Sequence, residues 1–369
     1  MKLGELVRIR TGRLDANQAV ENGRYPFFTC AAEPLRIDAW QYDCECVLVA
    51  GNCNPYVSYY NGKFNAYQRV YIIEVEAVDR LCAKYLYYYL KLYMKRSTDR
   101  QHGAIEKFFH LSDFTDIEVN FPSVEEQRLV ADSLWAIDRK IALNRKRIAT
   151  LEAMAKEIYD YWFVQFDFPD AHGRPYKSSG GEMVYNPDLK REIPKGWEVV
   201  RIGDVLDRHI LSTNKIPAKA YGQFGSYPII EQTEKLIAGY TDDKNAILDY
   251  PFCTVFGDHS CELKAVNFPF ARGADGTQIV VSADANVPNV QLYFALRMMD
   301  FGGGYKRHFV LAKDSLIVKD AIGVAAPRFE KVEKAIFDGI KHCRFENFKL
   351  TGLRDFLLPV LMNGQVKVR

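Results

Sequence analysis

The chain has 369 residues, 48% hydrophobic and 26% charged, with a formal net charge of +2. This length predicts two or three domains, and the near-neutral charge excludes the general affinity for nucleic acid of a strongly basic protein. No window of 18 residues is continuously apolar, which argues against a membrane helix, and Met1–Leu6 lacks the apolar run of a signal peptide, so a cytoplasmic location is expected.

Short strands bounded by Gly, Asn and Pro turns are expected over residues 1–80, the clearest being Tyr71-Ile72-Ile73-Glu74-Val75. Arg8, Arg10 and Arg13 cluster just after the first strand signal as candidate phosphate contacts. Asn52, Asn54, Tyr56, Ser58 and Tyr59 follow as candidate base readers. A helix is expected near 80–96, trailed by the cations Lys91, Lys95, Arg96 and Arg100. Eight cysteines occur without a CxxC pair or zinc-finger spacing, so they are expected to be small buried hydrophobes.

A long helix should start at Ser123, with Glu126 completing a capping box. From there the apolar residues keep a heptad. One series is Leu134, Ile141, Ile148, Ala155 and Trp162; the other is Val130, Ile137, Asn144, Leu151 and Ile158. Arg139-Lys140 and Arg145-Lys146-Arg147 form an acid-free basic stretch on this helix. Residues 166–196 are rich in turn formers and polar groups and read as a linker.

After the linker the chain repeats itself at a distance of about 200 residues, too long for a solenoid and right for duplicated domains. Lys2–Val7 answers to Arg201–Leu206, Gly23–Phe28 to Gly225–Ile230, Val49–Asn52 to Val255–Asp258, and Leu86–Lys91 to Leu292–Arg297. The second half supplies its own candidate DNA contacts: Asp258, His259, Ser260 and Arg272 for bases, Lys306 and Arg307 for phosphates. Moving the first heptad forward by the repeat places a second seam at Val332, Ile336, Gly339, Cys343, Glu346, Leu350, Leu353 and Leu357. Gly339 and Gly352 weaken this helix, and Pro359 should end it. Asn144 and Glu346 are polar near the middle of their seams, where they either set register as buried polar groups of a coiled coil or reach solvent at the seam edge.

No catalytic constellation emerges. Gly302-Gly303-Gly304 follows a helix end, where glycine is a terminator rather than a cofactor loop. Asn54-Pro55-Tyr56 lacks a proline of the adenine-methyltransferase motif, and Pro187-Asp188 with Glu192 lacks the lysine of a metal-dependent nuclease. No phosphate-binding Gly-Lys-Ser/Thr loop is present, and His259 beside Asp258 and Ser260 is no triad, because triads assemble in space. A binding protein without cofactor or metal is expected.

The order of recognition unit, long helix, recognition unit, terminal helix resembles the specificity subunit of type I restriction–modification enzymes. The segments that carry the likeness are Phe121-Pro122-Ser123-Val124-Glu125-Glu126-Gln127, Ile193-Pro194-Lys195-Gly196-Trp197 and Leu353-Arg354-Asp355-Phe356-Leu357-Leu358-Pro359. The second long helix departs from it, with Pro327-Arg328-Phe329-Glu330-Lys331 and no glutamine after the acid. The resemblance implies an α+β fold of two similar target-recognition domains separated by two long antiparallel coiled-coil helices. The expected parts are 1–122 and 197–326 for recognition, 123–165 and 327–369 for the helices, and 166–196 between. It implies that each domain reads half of a split double-stranded DNA target. About 29 residues of seam, roughly 43 Å of helix, would set the gap. It further implies docking of two modification (methyltransferase) subunits, joined by restriction subunits in the full complex, with neither S-adenosylmethionine binding nor cleavage in this chain. The competing expectations are a coiled-coil protein-interaction scaffold without DNA binding, and a cryptic nucleic-acid enzyme.

Overall fold

The computed structural model describes residues 1–51, 56–99, 109–209, 214–274, 276–301, 308–366 and 368. Contacts divide the chain into two units, Met1–Leu143 with Glu346–Arg369, and Asn144–Phe345.

In the first unit a 3-10 turn, Leu3–Glu5, precedes β1 (Val7–Thr11), β2 (Tyr25–Phe28), β3 (Leu35–Ile37), β4 (Tyr42–Ala50), β5 (Val57–Ala66) and β6 (Val70–Val75). They form one sheet in the order β1-β6-β4-β5-β2-β3. Every pairing is antiparallel except β2 with β5. Side chains alternate across a strand. Val47 and Val49 of β4 therefore pack with Leu86, Tyr88 and Leu90 of α1 (Ala83–Asp99), while Cys46 and Leu48 join Phe28, Tyr42, Phe64 and Ile72 on the other face. After α2 (Ser112–Thr115) comes α3 (Val124–Tyr159), extended by a π-helical turn at Asp160–Val164. Its capping box forms as expected: Ser123 N donates to Glu126 Oε2 and Glu126 N to Ser123 Oγ, each at 3.3 Å. The adjacent Gln127 is buried. It accepts from Cys82 N at 2.8 Å and donates to the carbonyls of Arg80 and Pro122 at 2.9 Å, fastening the helix start to the segment that leads into α1.

The second unit contains β7 (Met183–Asn186), β8 (Arg191–Pro194), β9 (Glu198–Arg201), α4 (Ile202–Val205), β10 (Tyr227–Ile230), β11 (Gly239–Thr241), β12 (Ile247–Leu248), β13 (Cys253–Gly257), β14 (Leu263–Val266), β15 (Phe270–Arg272), β16 (Thr277–Val280), α5 (Asn289–Arg297), α6 (His308–Asp314), β17 (Leu316–Lys319) and α7 (Ala326–Met362). Residues 166–196 are structured rather than a loose linker. β7 and β8 form a hairpin, Phe166 and Phe168 pack on Trp197 at 5.6 and 5.1 Å, and Asp167 accepts from Ser178 N and Oγ at 2.7 and 2.6 Å. The turn residues are real, but aromatic burial orders the chain between them.

The repeat is carried by topology. β2 lies between β3, antiparallel, and β5, parallel; β10 lies between β11, antiparallel, and β15, parallel. β4 lies between β5 and β6 as β13 lies between β14 and β16. The long β5 is represented by two strands, β14 and β15, with Pro269 between them, a residue that cannot donate to a ladder. The match at Val49–Asn52 needs a one-residue correction. Gly51 N donates to Arg69 O and accepts through its carbonyl from Phe109 N; Asp258 does the same with Gly276 O and His308 N. Gly51 therefore corresponds to Asp258, not to Gly257. A slip of one residue exchanges the faces of a strand, and with the corrected match Val49 packs toward α1 as Phe256 packs with Leu292 and Leu296 of α5.

On α3, Leu134, Ile141, Asn144 and Ala155 are buried and Ile137, Ile148 and Leu151 half-buried, as the heptad predicts. On α7 only one predicted series holds: Ile336 and Cys343 are buried, Leu350 and Leu357 half-buried. Val332 and Leu353 are 40% and 47% exposed. The inward positions one residue along carry Glu333, Ile340, Asn347 and Arg354. Three of these four are polar, so a search for apolar spacing settles on the wrong register. In the first unit Asp138 pairs with Arg354 at 2.9 Å and Ile141 O accepts from Asn347 Nδ2 at 3.4 Å; Glu346 pairs with Lys140 at 3.1 Å. In the second unit Glu152 pairs with Arg344 at 2.8 Å, and Tyr159 meets Phe329 at 6.4 Å. Within each unit, then, the helix segments run antiparallel. α7 also continues through Pro359 to Met362. A proline this near the end removes one hydrogen bond, and Asn363 N still reaches Pro359 O at 3.1 Å.

Glu333 is fully buried, and neither carboxylate oxygen has a hydrogen-bond partner among the described residues. Burial pushes its pKa from 4.5 up to about 8. The folded state thus holds a proton that the unfolded chain releases, and stability should fall as pH rises from 4.5 to about 8, then level off. The slope from this group is at most about 1.4 kcal/mol per pH unit. Urea unfolding of Glu333→Gln should lose this slope and exceed the parent in stability at about pH 8; an unchanged pH profile contradicts the assignment.

Candidate nucleic-acid interface

The first unit separates its candidate cations. Arg8 pairs with Glu74 and Glu76 at 3.3 and 3.9 Å, and Arg10 with Glu74 at 2.8 Å, its guanidinium 4.7 Å above the Tyr42 ring. Both lie on β1 beside these acids, Arg8 exposed and Arg10 half-buried, whereas Arg13 is exposed past the end of β1. Tyr56 is exposed and Ser58 half-buried in β5. Tyr59 is turned away from its neighbours by strand alternation. Its ring packs on Trp135 at 5.1 Å and its hydroxyl donates to Glu45 at 2.5 Å. Burial, then this acceptor, raise the tyrosine pKa. That placement corrects its reading as a base contact. Lys95 and Arg96 are exposed on α1, Arg96 reaching Asn363 at 3.5 Å. Asn52, Asn54, Lys306 and Arg307 lie outside the described residues.

Sequence reasoning missed Gln68 and Arg69. Both are exposed in the turn between β5 and β6, where they line a cleft of about 280 Å³ with Thr11, Tyr71 and Phe109. The turn has no glycine or proline to mark it, and one arginine makes no cluster; only the folded sheet brings it beside the end of β1.

The second unit overturns two base-reading expectations. Arg272 is 2% exposed; its Nε and Nη2 donate to Thr277 O at 2.8 and 2.5 Å, locking the β15–β16 turn. Asp258 is buried, and its carboxylate accepts from Phe309 N at 3.0 Å at the start of α6. Each side chain is committed to backbone groups that burial leaves without water. His259 and Ser260 line an open groove of about 800 Å³ with Gln232, Glu234, Lys235 and Glu262. Ser260 Oγ donates to Gln232 O at 2.6 Å. Lys264 Nζ supports this groove from below, donating to the carbonyls of Glu231 and Lys235 at 2.6 and 2.5 Å, and its burial lowers its pKa. On α3, Arg139, Arg145, Lys146 and Arg147 are exposed.

Polar side chains on strand-end turns, held by buried backbone anchors, suit the reading of a polar surface. Among the described residues no group of three or more His, Cys, Asp or Glu is placed to hold a metal ion, and no helix is long and apolar enough to cross a membrane.

Comparison with known proteins agrees with this architecture. The family model described as the type I restriction modification DNA specificity domain matches residues 1–153. The type I restriction enzyme EcoDI specificity subunit of Escherichia coli is 33% identical over 220 residues, 56% of this chain and 48% of that protein. The chain thus matches about half the length of that relative. The type I restriction enzyme MjaIX specificity subunit of Methanocaldococcus jannaschii is 26% identical over 332 residues, 79% of this chain and 70% of the relative. The crystal structure of a type I restriction–modification system S subunit from M. genitalium shares the fold, with a TM-score of 0.64 at 16% identity over 98% of this chain and 95% of that one. Residues 1–153 thus match the type I restriction modification DNA specificity domain, and the chain as a whole is similar in sequence to type I restriction enzyme specificity subunits.

Proposed function

We propose that the chain is the DNA-reading subunit of a type I restriction–modification assembly, each unit recognising one half of a two-part duplex target. One observation carries this reading: the pairing pattern of the sheet within the matched DNA specificity domain recurs in the second unit, β10 between β11 and β15 as β2 between β3 and β5, and β13 between β14 and β16 as β4 between β5 and β6, with different side chains on the turns. Equal frames deliver the turns to equivalent places; unequal turns give unequal half-sites. Arg13, Gln68 and Arg69 serve the first half-site, and Gln232, His259 and Ser260 the second, with exposed cations such as Arg139 and Arg145 on α3 facing phosphates. Methylation and cleavage belong to the partners, two modification subunits and the restriction subunits that join them. Exposed apolar side chains support helix-borne docking. Phe356 on α7 is 66% exposed in the first unit, and Met154, its counterpart by the repeat on α3, is 45% exposed in the second.

Exchanging residues 1–122 for the matching unit of another specificity subunit should change one half of the methylated target and leave the other. Methylated-base mapping in cells that carry the chain and its modification subunits reads this directly; a change in both halves, or in neither, defeats the proposal. In titrations of duplex DNA against salt, Arg13→Ala should lower the slope of log K against log[salt] by about 1 without altering stability. Arg272→Ala should instead destabilise by about 1–3 kcal/mol, because Thr277 O is left buried and unsatisfied. Phe356→Glu should weaken capture of the modification subunit by about tenfold or more, as expected for loss of an exposed aromatic anchor, with the thermal midpoint unchanged.

A further inference from the structure

The two units fill one equivalent position from opposite sides. The parallel registers are Phe28 with Ala66 in the first unit and Ile230 with Arg272 in the second. Each is continued by one bond, Tyr67 N to Phe28 O at 2.9 Å and Gly273 N to Ile230 O at 2.8 Å. Two residues beyond these registered strand ends stand Cys30 and Gln232. The bonds from Gly51 N to Arg69 O and from Asp258 N to Gly276 O align the facing turns, so Arg69 corresponds to Gly276.

In the first unit the strand side offers the small Cys30, and the turn offers the exposed Arg69, whose charge reaches the thiol. In the second the sizes are reversed. Gly276 has φ +86°, where a side chain is strained, and a Cβ built there would stand 2.7 Å from Gln232 Nε2 and 2.8 Å from Oε1. The Gln232 amide thus lies over the bare turn, at the wall of the 800 Å³ groove, with Oε1 turned inward, so that the amide must swing off the turn to meet a base edge. Each unit pairs one long polar side chain with one small residue. A long residue on both sides would crowd the site; a small one on both sides would leave nothing to read with.

The chemistry of the two long residues differs in one respect that matters to a base edge. Arginine presents a fork of donors, which matches O6 and N7 of guanine; glutamine presents a donor and an acceptor, which match N7 and N6 of adenine. Resting on the DNA-reading function proposed above, we infer that this position is the specificity switch of the duplicated fold: Arg69 reads a guanine in the first half-site, and Gln232 reads an adenine in the second.

The test is selection from a duplex library randomised at both half-sites, with the chain assembled with its modification subunits and binding alone scored. The parent should enrich a two-part motif with guanine at one position in one half and adenine at one position in the other. Arg69→Ala should lower the guanine preference about ten- to hundredfold, and Gln232→Ala the adenine preference likewise, each leaving the opposite half intact. Gln232→Glu, which keeps the shape, should turn adenine into cytosine, whose amino group a carboxylate accepts. Cys30→Gln combined with Arg69→Gly should convert guanine to adenine. The inference is overturned if the motif survives the alanine variants, or if they weaken all duplexes by one common factor, as a phosphate contact would. A parent that enriches no two-part motif overturns the DNA-reading function itself, a different result from an unchanged motif.

Discussion

Burial of α3 against α7 is the constraint on which both units depend. Val130, Ala131 and Leu134 share a core with Leu358 and Leu361 in the first unit, and Ala155, Tyr159 and Trp162 with Phe329, Ile336 and Ile340 in the second. Each fully buried aliphatic or aromatic side chain contributes about 1.5–3 kcal/mol. This is how α7 remains helical through Gly339, Gly352 and Pro359, which its local propensity disfavours. Packing, not propensity, supplies most helical stability in a folded protein. Gly339 is even an asset, since a Cβ there would press on Leu151 at 3.3 Å.

Polar groups within the helix pairs do a second job. Arg354 bonds Asp138, which also accepts at 2.8 Å from Tyr88, a buried residue of α1 whose ring lies in the core of the first unit. Gln127 makes three bonds to the chain around residues 80–82 and 122. Removing one partner from such a network leaves a buried polar group unsatisfied, so each bond resists rearrangement of helix against sheet more strongly than its net stability implies.

The net charge of +2 conceals a local division of labour. Arg8 and Arg10 are neutralised by Glu74 on the sheet, and Arg272 is consumed by the turn it braces. What remains at the turns is a small number of side chains differing in donor and acceptor pattern on a common backbone. For the DNA-reading function proposed above, these side chains would carry the selectivity, because phosphate contacts position a protein on DNA whereas base-edge contacts specify sequence.

The sequence by itself determined the class of fold, the duplication, the α3 seam and its capping box, because these depend on local periodicity and side-chain type: the heptad from Val130 to Ile158, and Ser123 with Glu126. The resemblance to specificity subunits was legible there too, through Phe121–Gln127 and Ile193–Trp197. The tertiary structure alone decided the register of α7, where Glu333, Asn347 and Arg354 occupy inward positions, and the alignment of Gly51 with Asp258. It also decided which candidate contacts face outward. Arg272 and Asp258 carry the right chemistry, but backbone carbonyls and amides hold them inside, and ring packing half-buries Tyr59, while Gln68 and Arg69 stand beside the end of β1 in the first unit and Gln232 over the Gly276 turn in the second. Periodicity records which face of an element is buried; it does not record what the neighbouring element brings to that face, and that is set by pairing between residues distant in the chain.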